Sequence, residues 1–214
     1  MHIDDILIGF NKIEGALQES TCNIRKTGAL LVLQDKREYL TTNGSKVDPC
    51  TKEPDRCDCQ NSLPVLDYAT CRSFCAEGYA LRMARKSDDL IGGTILTTSL
   101  PCVRCTDLII DNSLNELYFR GFRAGEMRFK DMIYIAKMNA SGIKVFEVRD
   151  GNLLKHEFPK EIQQEAMALY PPMPGLWMRL EEDIGFRERQ KEFLSWLKKN
   201  WGYSSSLPER RVRS

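Results

Sequence analysis

Cys75-Ala76-Glu77 and, further along, Pro101-Cys102-Val103-Arg104-Cys105 decide how this chain is read. Two short segments bring together three thiols and one carboxylate. Cys102 and Cys105 stand three positions apart, which puts both sulfurs on one face of a helical turn. Pro101 suits the entry to that helix, where a missing N–H costs little. A helix N-terminus also favours thiolate over thiol, the form that binds metal. With Cys75 the pair supplies three soft ligands for zinc. The fourth tetrahedral position is left to water, the mark of a catalytic and not a structural site. Glu77 is no ligand in this scheme; it is the general base and acid that such a water needs. A lone C-x-x-C is equally a zinc knuckle or a redox pair, and C-x-E alone says little, so the signal lies in their combination.

The rest of the chain bounds what can surround such a site. At 214 residues and 42% hydrophobic it buries a full core without help from disulfides. A formal net charge of +1 gives no overall pull towards nucleic acid or a membrane surface. Met1-His2-Ile3-Asp4-Asp5 carries acids where a signal peptide carries bases. No apolar run approaches the ~18 residues of a membrane span. Eight cysteines in a chain read as unsecreted point to metal, not disulfides. The expectation is a soluble, cytoplasmic protein with no membrane partner.

Periodicity gives an α/β order. Ile6, Phe10, Ile13 and Leu17 recur at helical spacing and predict a first helix over about 4–19. Residues 29–33 and 38–41 read as two strands joined at Gln34-Asp35-Lys36. A second helix is expected over about 74–86, and Gly92-Gly93 then breaks the chain before a strand at 94–98. The Cys102–Cys105 helix, a strand at 116–119, a helix over 127–140 and a strand at 144–148 follow. Alternation of strand and helix beyond residue 74 favours parallel pairing there.

The same residues resemble a known family. H-x-E…P-C-x-x-C is the signature of zinc-dependent nucleobase deaminases, and Cys in the first ligand position is an accepted variant. The stretch Ser20-Thr21-Cys22-Asn23-Ile24-Arg25-Lys26-Thr27-Gly28-Ala29-Leu30-Leu31-Val32 resembles the C-x-R-x-x-G-A-V-I-V opening of the deoxycytidylate deaminase-like branch of the cytidine/deoxycytidylate deaminase superfamily. Asn43-Gly44-Ser45 resembles that branch's Y-N-G-T/S-P turn, and residues from about 18 to 150 are covered. The resemblance implies a three-layer α/β/α cytidine deaminase-like fold with a central five-stranded mixed sheet. It implies a catalytic zinc on Cys75, Cys102 and Cys105, and a cytosine nucleotide as substrate, dCMP by preference. Hydroxide formed at the zinc would attack C4, while Glu77 carries the proton to N3 and helps ammonia leave. Substrate contacts are implied for Arg25, Asn43, Ala76, Ser99, Phe119, Arg120 and Arg123, and a homo-oligomer for the assembly.

The chain departs from that pattern in places. Cys75 replaces the branch's usual His, Lys46 replaces the Pro after the turn, and Ser99-Leu100-Pro101 replaces Leu-Ser-Pro. Gly78 stands where three-Cys nucleoside deaminases often carry Arg, so Arg104 or Arg72 is left to offset the charge of three thiolates. Asn43 before Gly44 reads equally as a turn residue. Arg120 and Arg123 read equally as phosphate contacts or as solvated surface charges. The two histidines, His2 and His156, are expected at the surface.

The Cys-rich insert, 43–74, is long for a loop inside a compact domain and needs a constraint. A second, structural zinc drawn from Cys50, Cys57, Cys59 and Cys71, with Cys22 as an alternative ligand, would supply one. The domain is expected to span 1–150 and to be followed by a C-terminal extension, 151–214. There Phe186, Phe193, Trp196, Leu197 and Trp201 follow helical spacing, which predicts an amphipathic helix. From Arg187 onward eight Lys or Arg face three Glu, so a deaminase acting on cytosine or adenine in single-stranded DNA or RNA, including tRNA, docked by this basic tail, is the second functional reading. Packing of that helix on the core or on a partner subunit is favoured over nucleic acid, because its aromatics form one stripe. A non-catalytic zinc-binding protein is the third reading.

Overall fold

A computed structural model describes residues 1–22, 26–44, 75–85, 89–122 and 129–169, together with isolated helical positions near 188–199. Its described helices are α1 (Ile3–Ala16), α2 (Ala76–Ala84), α3 (Val103–Asp111), α4 (Phe129–Ala140) and α5 (Lys160–Leu169). The strands are β1 (Gly28–Val32), β2 (Glu38–Thr42), β3 (Thr94–Thr97), β4 (Glu116–Phe119), β5 (Lys144–Arg149) and β6 (Asn152–His156). They form one mixed sheet in the order β2-β1-β3-β4-β5-β6. The fold is the three-layer α/β/α arrangement that the sequence implies.

The centre of the sheet follows from the connections. β1 and β2 form an antiparallel hairpin, with Lys36 at positive φ in the turn. β3, β4 and β5 run parallel, as strands joined by helical crossovers must. β1 pairs antiparallel with β3, which makes the sheet mixed.

Alternation along each strand sorts the side chains into two cores. On one face α1 lays Ile6, Phe10 and Ile13 over Leu30, Leu96, Tyr118 and Val148. Gly9 permits that close approach, since a Cβ there would stand 2.6 Å from the Leu96 side chain. On the other face α2, α3, α4 and α5 cover Leu31, Ile95, Leu117 and Val145. Each large side chain so buried contributes about 1.5–3 kcal/mol.

The expected count of five strands is corrected to six. β6 pairs antiparallel with β5 through a two-residue turn, Asp150-Gly151, both at positive φ. An Asp-Gly pair between strands is a strong hairpin signal. It is easy to pass over here because β6 is an edge strand whose residues are nearly all exposed, so no hydrophobic alternation marks it. The sheet and its covering helices therefore continue past residue 150, with α5 packed on α4. The aromatic stripe of the C-terminal extension lies outside the described residues, whereas Glu188, Lys191, Glu192, Ser195 and Lys199 are helical and exposed. Among the described residues, no helix is long and apolar enough to cross a membrane.

Candidate active site

The site stands where α2 and α3 begin. Cys75 is the N-cap of α2 and Cys102 the N-cap of α3, both with extended backbone. Cys105 follows one turn into α3, on the face it shares with Cys102. The chain before α3 leaves the end of β3 as Thr98-Ser99-Leu100-Pro101 and is pinned on both sides. Thr98 N donates to Gly28 O at 3.1 Å, and Leu100 N donates to Gly121 O at 3.1 Å. Pro101 has no N–H to satisfy.

This scaffold gathers the three sulfurs. Their ligand atoms all lie within 4.8 Å of one another, and Cys75 Sγ is 3.8 Å from Cys102 Sγ. Zinc–sulfur bonds of about 2.3 Å at tetrahedral angles set two sulfurs about 3.8 Å apart, so the cluster fits that ion. It is the only metal-ligating cluster found among the described residues. Glu77 lies in the first turn of α2, 3% exposed, with Oε2 at 3.7 Å from Cys105 Sγ. The carboxylate thus borders the sulfurs from the one helix turn that also carries Cys75.

The electrostatics depart from the sequence reading in one respect. Against the pull of the helix N-termini, the neighbouring sulfurs favour the protonated form at Cys75 and Cys105. Hydrogen bonding with Cys102 pushes the Cys75 thiol up, and hydrogen bonds with Cys102 and Cys75, then burial, push the Cys105 thiol up. Three neighbouring sulfurs resist carrying three charges, so binding of a dication must displace protons. Arg104, a proposed offsetting cation, is exposed on α3. Arg72 lies outside the described residues.

The remaining sequence-derived positions divide. Ala76 is fully buried, and its carbonyl accepts a 2.8 Å hydrogen bond from Thr41 Oγ1. Ser99 is buried, and its carbonyl accepts from Thr97 Oγ1 at 2.7 Å. Asn43 is buried beside the first helix; its Oδ1 accepts from Ser20 Oγ at 2.8 Å and from Thr27 N at 2.7 Å. Its side-chain oxygen therefore ties the end of β2 to Ser20 and Thr27, on the segment that leads into β1. Arg25, Arg123, Cys50, Cys57, Cys59 and Cys71 fall outside the described residues. Cys22 is described and buried, and no metal-ligating group among the described residues includes it.

Three further side chains have partners that the sequence reading did not foresee. Arg120 follows Tyr118 on the α1 face of the sheet, opposite the helices that carry the sulfurs. It stacks over the Phe10 ring at 4.8 Å and pairs with Glu14. Phe119 faces the correct side but is fully buried, edge-on to Phe122 and stacked with His156. Its ring is core packing. His156, expected at the surface, is a buried side chain between those rings, 3.2 Å from Glu147 Oε2. Reading it within a charged stretch missed that alternation on β6 turns it inward.

Comparison with known proteins agrees with this geometry. The family described as "Cytidine and deoxycytidylate deaminase zinc-binding region" matches residues 10–120, more than half of the 214. Among solved structures, the dCMP deaminase of the cyanophage S-TIM5 in complex with dCMP and dUMP is 23% identical. It covers 68% of this chain and 97% of its own, with a TM-score of 0.52. The apo form of that enzyme is 21% identical over 68% of this chain and 98% of its own, at 0.48. A diaminohydroxyphosphoribosylaminopyrimidine deaminase/5-amino-6-(5-phosphoribosylamino)uracil reductase from Thermotoga maritima is 19% identical. The match spans 69% of this chain but 37% of that one, at 0.48. A search of curated protein sequences gives no match. With its matched segment running through all three clustered cysteines and Glu77, the chain belongs to the cytidine and deoxycytidylate deaminase zinc-binding family.

Proposed function

We propose that this protein is a zinc-dependent hydrolase that converts a cytosine nucleotide, dCMP by preference, to its uracil form. The observation that carries the reading is the buried Glu77 carboxylate set against Cys105 in the three-sulfur cluster. Membership of the family supports the reaction class. The similar fold of the phage enzyme solved with dCMP and dUMP supports a monophosphate substrate.

Cys75, Cys102 and Cys105 are the residues that would hold zinc. When bound, zinc supplies a Lewis acid that brings the pKa of water down towards ~7. Glu77 accepts one proton from the attacking water and delivers it to ring N3; it then takes the second from the hydroxyl now on C4 and passes it to the exocyclic amine as the C4–N bond breaks and the carbonyl forms. Water enters and ammonia leaves, with the carboxylate restored. One carboxylate serves both ends because N3 and the amine flank the same carbon. Its burial keeps bulk water from competing for the proton. The backbone N–H groups at the starts of α2 and α3 offset part of the thiolate charge, a role no exposed Arg104 fills.

Asn43, Ala76 and Ser99 are the proposed neighbours of the nucleoside. Arg25 and Arg123 are the proposed phosphate contacts, since guanidinium forks match phosphate oxygens. A structural zinc in the Cys-rich insert, homo-oligomeric assembly and a cytoplasmic location belong to the same proposal.

The test is a mixed incubation of zinc-loaded protein with dCMP, CMP, dCTP, deoxycytidine and a cytosine-containing oligonucleotide. Replacement of the amine by a carbonyl raises product mass by about 1 unit. Conversion of dCMP ahead of the others is the expected outcome. Conversion of the oligonucleotide alone overturns the free-nucleotide reading and moves the basic C-terminal extension to the centre. No conversion by protein verified to carry zinc overturns the enzymatic reading.

A further inference from the structure

We infer that Thr41 and Thr97 are positioning residues for the three-thiolate centre, each fixing one of the two segments that deliver its ligands. The two lie at one level of the sheet. Thr41 on β2 and Thr97 on β3 both pair with Ala29 on β1, so they flank a small residue on the face covered by α2 and α3. Both are buried, Thr97 almost completely.

Their hydroxyls diverge from that shared level. Thr41 Oγ1 donates to the carbonyl of Ala76 at 2.8 Å, and Ala76 is the residue between Cys75 and Glu77. Thr97 Oγ1 donates to the carbonyl of Ser99 at 2.7 Å, in the segment that leads through Pro101 to Cys102. One bond fixes the peptide joining Ala76 to Glu77, and with it the entry of α2. The other fixes the turn from β3 into α3. The Cys75–Cys102 separation depends on both segments.

Strand preference alone does not explain threonine here. Valine has the same shape, suits a buried strand at least as well and brings no polar atom to satisfy. The hydroxyls are informative because each meets a carbonyl in a ligand-bearing segment. Thr41 does so across the sheet–helix interface, 35 residues from Ala76 in sequence, and Thr97 does so locally, two residues before Ser99. Thr106, one residue beyond Cys105, gives the contrast. Its hydroxyl is buried and without a hydrogen-bond partner among the described residues, so a threonine beside this site is not by itself a positioning residue.

The inference rests on the three sulfurs being a metal site, and its test separates the two ideas. Full-length protein is loaded with Co²⁺, whose thiolate charge-transfer and ligand-field absorption report geometry, and affinity is read by competition with a chelator. Parent, Thr41→Val, Thr97→Val, Thr41→Ser and Thr97→Ser are compared, with folding followed by circular dichroism. The Val variants are expected to lose about 10-fold in apparent metal affinity, the low end for residues that orient ligands, and to shift the ligand-field bands. The Ser variants, which keep the hydroxyl and lose the methyl, are expected to hold the parental spectrum. Val variants that match the parent in both readouts overturn the inference. Equal losses in Ser and Val overturn it too, because packing would then be what matters. A parent without thiolate–cobalt absorption overturns the metal site, and the inference with it.

Discussion

Cys75 and Cys102 bring their Sγ atoms to 3.8 Å from the N-caps of two different helices. Neither helix could do this alone. The separation is set by the sheet beneath them, because α2 is tied to β2 through Thr41 and α3 leaves directly from β3. A ligand set split between two helix starts gains from the positive ends of both helices.

That arrangement makes the first ligand replaceable in kind but not removable. Cys75→Ala should lower bound zinc by about one ion per chain relative to the parent, whatever the Cys-rich insert holds, since two thiols remain where three are needed. Cys75→His restores the nitrogen ligand usual at this position and should retain zinc. Metal content of dialysed protein by atomic emission checks both. Full zinc occupancy in Cys75→Ala would show that Cys75 is not a ligand.

Glu77 makes the opposite prediction. It touches the sulfur cluster at 3.7 Å without the chemistry of a soft zinc ligand. Glu77→Gln keeps the shape and removes the proton carrier. Turnover of the deaminated nucleotide should fall by about 10²–10⁴-fold, the usual contribution of a general acid–base group. Zinc content should stay at the parental level. Parental turnover in Glu77→Gln removes the proton-shuttle mechanism.

Much of this site was legible because its chemistry is local in sequence. C-x-E and P-C-x-x-C each fit within one helical turn, so their residue types announce their roles before the fold is known. The helix and strand order was legible for the same reason, from Ile6, Phe10 and Ile13 on α1 to the apolar run of β3. What escaped was set by partners distant in the chain. Thr41 reads as an ordinary strand residue until its hydroxyl is placed under Ala76, 35 positions further on. Arg120 reads as a free guanidinium until the parity of β4 sends it to Phe10 and Glu14. The sixth strand was hidden because an exposed edge carries no hydrophobic alternation.

Thr106 offers a stability prediction beside the site. Its residue is fully buried and its hydroxyl lacks a partner among the described residues. Leaving a buried hydroxyl unsatisfied costs about 1–3 kcal/mol by protein mutational data. Thr106→Val keeps the shape and should raise unfolding stability by about 1 kcal/mol, at parental metal content. Chemical denaturation of both proteins measures it. A loss of stability would mean that the hydroxyl has a partner that supports the fold.

His156 supplies the pH prediction. Its imidazole lies between Phe119 and Phe122, with Glu147 at 3.2 Å and the guanidinium of Arg149 donating to the same carboxylate at 2.7 Å. Burial lowers its pKa below the ordinary 6.5, outweighing the attraction of Glu147, while Arg149 lowers it further. The folded protein therefore holds neutral His156 at a pH where the unfolded chain has already begun to bind a proton. In that window the unfolded state binds more protons, so stability falls as pH falls. The contribution is complete above 6.5, is lost progressively below it, and levels off beneath the folded pKa. His156→Gln removes the titration and should flatten that part of the profile. Melting temperatures of metal-loaded parent and variant from about pH 7.5 to about pH 5 isolate the effect by difference, since other groups titrate alike in both. Parallel profiles would mean that His156 carries the same proton folded and unfolded. A parent that gains stability towards acid, relative to the variant, would mean that Glu147 outweighs burial and holds the imidazole charged.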